Sequence, residues 1–86
     1  MFHKIEKGSP EWMFLNEFWK FRQDFYEPDS KNYTDAKNDK YYDEMIQIGS
    51  ALAEKYKNEP FAKFAQDLVV AHMEDVKERC RKYVNT

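Results

Sequence analysis

The sequence predicts an all-α fold, a three-helix bundle running up-down-up behind a short extended N-terminal arm. Three observations lead there. Apolar residues recur at three- and four-residue spacing in three separate stretches. Breaks marked by Pro10, Pro28 and Pro60 bound those stretches. Aromatic residues reach 17% of the chain, and a sequence so rich in rings folds rather than staying disordered. The 86 residues make one domain over 1–86, with helices expected at about 10–26, 36–57 and 60–83.

Met1 to Gly8 shows no helical stripe and is read as an arm that lays Phe2 and Ile5 on the helices. Ser9-Pro10-Glu11 then starts a helix, with serine as N-cap, proline at the first helical position and an acid in the first turn. Two adjacent stripes follow, Trp12-Leu15-Trp19-Tyr26 and Phe14-Phe18-Phe21-Phe25. Together they exceed the ~100° arc that a surface helix ordinarily buries. This helix is therefore central or meets a partner.

Glu27-Pro28-Asp29-Ser30 ends it, because proline disfavours helix in the residue before it. A polar loop carries Tyr33, and the second helix starts at Thr34-Asp35 or at Asn38-Asp39. From there Tyr41/Tyr42, Met45, Ile48/Gly49, Leu52 and Tyr56 trace an amphipathic face. Gly49 at its centre is expected to admit a close helix or ring, since glycine otherwise weakens a helix by roughly 1 kcal/mol. Lys57-Asn58-Glu59-Pro60 punctuates the turn into the third helix, whose apolar face reads Phe61, Phe64/Ala65, Leu68, His72, Val76, Cys80 and Tyr83. Phe14, Phe18, Phe21, Phe25, Phe61 and Phe64 are the expected aromatic core.

No catalytic constellation is present, so an enzyme is not expected. Only Gly8 and Gly49 are glycines, which excludes a phosphate-cradling loop. Cys80 is the sole cysteine and lies on the apolar stripe, as a buried small hydrophobe does. A lone thiol fits a reducing cytoplasm, and Met1 to Pro10 does not resemble a signal peptide. No apolar run reaches the ~18 residues of a membrane helix. His72, between Leu68 and Val76, is expected in the core with a tyrosine or carboxylate partner, Asp75 being within reach along its own helix. With His3 as the only other histidine, neither a metal nor a cofactor is expected. The pairs Asp43-Glu44 and Glu74-Asp75 are sequence neighbours and diverge on a helix, so they form solvated faces rather than acid/base dyads.

Two binding readings remain. Trp12, Trp19, Tyr33, Tyr41 and Tyr42 are amphipathic rings at helix starts, a stripe edge and a loop, which suits a protein interface. A homodimer through the same rings is one form of that reading. The alternative is a nucleic-acid or nucleotide binder using Lys77, Arg79, Arg81 and Lys82, the one basic cluster. Cations in the last turns of a helix also simply complement its dipole. The net charge of −2 favours neither.

A resemblance sharpens the first reading. Ser9-Pro10-Glu11-Trp12, Phe18-Trp19 followed by Phe25-Tyr26-Glu27-Pro28, Tyr41-Tyr42-Asp43, Lys55-Tyr56-Lys57 with Pro60-Phe61-Ala62, and Leu68-Val69-Val70-Ala71 carry it. In these the chain resembles small, mostly uncharacterised helical proteins from phages and mobile elements of Gram-positive bacteria. The resemblance implies a non-catalytic protein that binds and modulates one host protein, including a defence protein such as a CRISPR nuclease.

Overall fold

The structure, a computed structural model, describes residues 2–28 and 36–84, with the backbone alone at 37 and 81–84. Helix α1 spans Pro10–Asp24, a single 3-10 turn covers Ala36–Asn38, α2 spans Asp39–Lys55 and α3 spans Ala62–Val84. No strand occurs among the described residues. Ser9 caps α1 as expected: its backbone is extended and its side chain accepts the Trp12 N–H at 3.4 Å. The helix stops two residues before the expected Tyr26. Phe25 leaves helical geometry at φ −119, ψ 42 while its N–H still reaches the Phe21 carbonyl. Of the two expected starts for α2, the structure takes Asn38-Asp39, and Asn38 is fully buried. Residues 56–61 form turns closed by Glu59 N–H to Tyr56 and Ala62 N–H to Glu59. Pro60 therefore precedes α3 rather than opening it.

The three helices run up-down-up. Phe14 near the start of α1 meets Tyr56 just after α2, with ring centroids 5.4 Å apart, while Phe25 at its end meets Tyr41 near the start of α2 at 5.6 Å. Phe14 also meets Phe61 before α3, and Arg22 meets Asp75 well along it, so α1 and α3 are parallel. The tightest association is between α2 and α3, and the sparsest between α1 and α3. With 15 residues against 23, α1 is roughly 22 Å long and α3 roughly 34 Å. The last turn of α3 therefore runs past the end of α1.

Phe14, Phe21 and Phe25 from α1, Met45, Leu52 and Tyr56 from α2, and Ala65, Val69, Val76 and Cys80 from α3 form the core. Each set repeats at four or seven residues, one face of each helix. Gly49 lies where all three helices converge. A Cβ placed there would sit 2.6 Å from Met73 Cε, 2.9 Å from Val69 Cγ1 and 3.0 Å from Phe21 Cζ.

Two expectations about apolar residues are corrected. Phe64 is 49% exposed, because Ala65 and Val69 take the core positions and turn Phe64 about 100° away. The arm is extended but does not cover the helices: Phe2 is 98% exposed and Ile5 half-exposed. Gly8, at φ +85, and the Ser9 N–H bond to the Glu6 carbonyl make a turn that carries the arm off the bundle.

Candidate docking face between α1 and α3

The wide apolar arc of α1 is resolved into two roles. Its Phe stripe enters the core, and its Trp12-Leu15-Trp19-Tyr26 stripe borders the sparse seam with α3. Trp12 and Leu15 are half-buried there, while Trp19 is 62% exposed. On α3 the facing stripe is Phe64, Leu68, Ala71 and Asp75, at the same helical spacing. Phe14–Phe61 and Arg22–Asp75 show that the two helices run parallel, and Leu15 and Leu68 both pack against the core. The two exposed rings of this face are thus Trp19 on α1 and Phe64 on α3.

A polar clasp joins α1 to α3 further along. Arg22 Nη1 donates to Asp75 Oδ2 at 2.8 Å and lies 2.9 Å from His72 Nδ1. Arginine has no acceptor, so Nδ1 accepts and the imidazole proton sits on Nε2, which is buried without a hydrogen-bond partner. Arg79 donates to Asp75 at 3.1 Å, to Glu27 at 3.2 Å and to the Tyr26 carbonyl at 2.6 Å. Its guanidinium stacks 4.2 Å from the Tyr26 ring centroid. The buried His72 thus matches the expectation of a core histidine, but its direct partner is an arginine on α1, with Asp75 joined through that arginine.

The clasp has a pH signature. Burial, then the Arg22 charge, lowers the His72 pKa from its ordinary 6.5, against weaker opposition from the Phe25 carbonyl and Asp75. Arg22, ahead of Arg79, holds the Asp75 carboxyl below its ordinary 3.8. For His72 the unfolded chain takes up the proton first. Stability is therefore full above about pH 6.5 and falls with acid down to the lower folded pKa. Asp75 adds a second loss only below about pH 3.8. Urea unfolding should show lower stability at pH 5 than at pH 7.5, and His72→Asn, whose side-chain oxygen still accepts from Arg22, should flatten that interval. An unchanged slope in the variant would remove His72 as its cause.

The other sequence-named residues separate. Tyr41 donates its hydroxyl to the Phe25 carbonyl and, desolvated, has its pKa pushed up to about 12. It ties α2 to the end of α1. Tyr42 packs edge-on against it at 5.4 Å and against the core. These two rings serve packing, and Trp19 is the open one among the described members of the set. Lys77 is exposed, whereas Arg79 is spent on the clasp and is not a free phosphate ligand. Tyr33 lies outside the described residues, as do the side chains of Arg81 and Lys82. Cys80 is buried, and no three His, Cys, Asp or Glu converge as a metal site among the described residues.

Grooves lie along the other two seams. Between α1 and α2, Phe21, Ile48 and Leu52 line a groove whose rim is tied in pairs, Lys55–Glu17 at 2.7 Å and Lys20–Asp24 at 3.0 Å. Small residues, Ser50, Ala53 and Ala62, floor the groove between α2 and α3. Sequence reasoning places Phe64 in the core and singles out no role for Arg22. The signal for Phe64 was its neighbour Ala65, which leaves more room for a close helix.

No family model, curated protein or solved structure matches the chain.

Proposed function

We propose that this chain is a non-catalytic protein-binding module that docks its partner on the α1/α3 face. The observation that carries the reading is the exposure of Trp19 at 62% and Phe64 at 49% on adjoining stripes of that face. Large rings held on rigid helices favour association, because little conformational entropy is lost when they are covered. The resemblance to phage proteins points to a host protein, a defence nuclease among them, as the class of partner. The basic C-terminus supports a nucleic-acid reading less well, since Arg79 is internally bonded.

Affinity capture from a Gram-positive bacterial lysate tests the proposal, using the wild type beside Trp19→Ser and Phe64→Ser. Both side chains are open enough that the fold should survive, and circular dichroism checks it. A protein retained by the wild type and reduced roughly tenfold or more by either variant is expected. Equal retention by all three, or nucleic acid alone released by salt, would move the function off this face.

A further inference from the structure

We infer that His72 is an acid-operated latch between α1 and α3: neutral, it holds Arg22 of α1; protonated, it displaces Arg22 and takes Asp75 as its own ion-pair partner. Arg22 Nη1 meets His72 Nδ1 at 2.9 Å and Asp75 Oδ2 at 2.8 Å, so one nitrogen serves both acceptors. That sharing holds only while Nδ1 keeps its lone pair. A proton taken from water onto Nδ1 makes both imidazole nitrogens donors. Two N–H groups and two positive charges would then face each other across 2.9 Å in a site largely closed to screening water. One cation has to leave.

Burial decides which. His72 is 3% exposed, and its ring lies against Phe21, with centroids 4.7 Å apart, and edge-on to Phe18 at 6.4 Å. Turning it out would open the core. The Arg22 side chain is 31% exposed, and its guanidinium already lies 5.4 Å from the Tyr26 ring centroid, where it can rest once released. Arg22 therefore moves. Its departure leaves Asp75, three residues along α3 from His72, as the anion beside the new Nδ1–H. The other groups around the site, among the described residues, keep the change local. Arg79 on α3 stays bonded to Asp75, to Glu27 and to the Tyr26 carbonyl. From α2, Tyr41 donates to the Phe25 carbonyl and stays neutral, its pKa being about 12. The segment after α1 is thus held to α3 while Arg22 swings out. Acid turns an internal tie into a free cation close in the chain to Trp19 and Tyr26.

NMR of the isotope-labelled full chain between pH 7.5 and pH 4.5 tests the latch, an interval in which Asp75 stays ionised because Arg22 and Arg79 hold its carboxyl below 3.8. At pH 7.5 the His72 ring should carry its proton on Nε2, and the Arg22 guanidinium protons should be protected from exchange with water. With a released His72 titrating at its ordinary 6.5 and the clasped one staying neutral, the balance should move toward release by about thirtyfold between pH 7.5 and pH 5. Arg22 protection should fall along the His72 titration curve, and the Asp75 carboxyl carbon signal should move along it too. The amide signals of Phe14, Gly49 and Val69 should keep their folded positions. In His72→Asn, Arg22 should stay protected throughout. A His72 proton on Nδ1 at pH 7.5, or Arg22 protection that ignores the His72 titration, would overturn the assignment. So would an Arg22 loss that persists in His72→Asn, or an Asp75 signal that does not follow His72. Loss of the core signals along the same curve would overturn it as well, since acid would then unfold the domain rather than work a latch.

Discussion

Replacing Phe14 by alanine is expected to destabilise the domain by about 3–5 kcal/mol, the range for removing a buried phenylalanine. Phe14 is wholly buried, and its ring meets Phe18 at 5.9 Å, Tyr56 at 5.4 Å edge-on and Phe61 at 5.9 Å. It is thus the plug at the end where the turn between α2 and α3 folds under α1. A domain of this size has a total stability of order 4–13 kcal/mol, so the change should lower the melting temperature by roughly 15–30 °C. The residual cavity cannot collapse easily, because Tyr56 is also held by its hydroxyl bond to Glu17 at 3.0 Å. Phe64→Ala is the matched control: the same atoms are removed from a half-exposed ring, and the expected loss is about 1 kcal/mol or less. Denaturant unfolding of both variants decides the matter. Equal losses would mean that the ring at 14 is not the core residue its burial indicates.

The contrast between those two phenylalanines also shows what the sequence could tell. Helical period locates an apolar face to within one residue, because neighbours differ by about 100°. It therefore found the three helices, the Ser9-Pro10 start and the core rows of α1 and α2. At Phe64-Ala65 it could not decide which residue faced inward, since both are apolar. Close packing decided it, by favouring the smaller side chain nearest the neighbouring helices. Helix ends were legible to about two residues: Pro28 and Pro60 marked the breaks, but Phe25 and Tyr56 carried the actual stops. The clasp was not legible, because Arg22 is 50 residues from His72 and 53 from Asp75. An arginine on an amphipathic helix reads as a solvated charge until the rotation of that helix against its neighbour is known. The surplus of rings on α1 was legible as a surplus. That Trp19 remains open while Tyr41 and Tyr42 pack inside depends on how far α3 lies from α1, which no periodicity encodes.

Gly49→Ala is the second large effect, and here the expected sign runs against helix propensity. At an exposed mid-helix position the change would stabilise by up to about 1 kcal/mol, since alanine is the better helix former. At Gly49 the new methyl would stand 2.6 Å from Met73 Cε, 2.9 Å from Val69 Cγ1 and 3.0 Å from Phe21 Cζ. The Met73 methyl ends a flexible side chain and can swing aside. Val69 is β-branched and stiff within a helix. Phe21 is held by ring contacts to Phe18, Phe25 and His72, at 6.2, 5.5 and 4.7 Å. Relief therefore requires α2 to move off α1, α3 or both, and overpacking of this kind costs about 1–3 kcal/mol before the propensity gain. A net loss of roughly 1–2 kcal/mol is expected in urea unfolding. Val69→Ala removes one of the two rigid obstacles, so in the double variant Gly49→Ala should cost clearly less than it does alone. Additive losses would place the obstruction elsewhere, and a gain on Gly49→Ala would mean that the helices do not approach this closely. One missing methyl group decides the sign, because residue 49 of α2 is where side chains from both other helices arrive together.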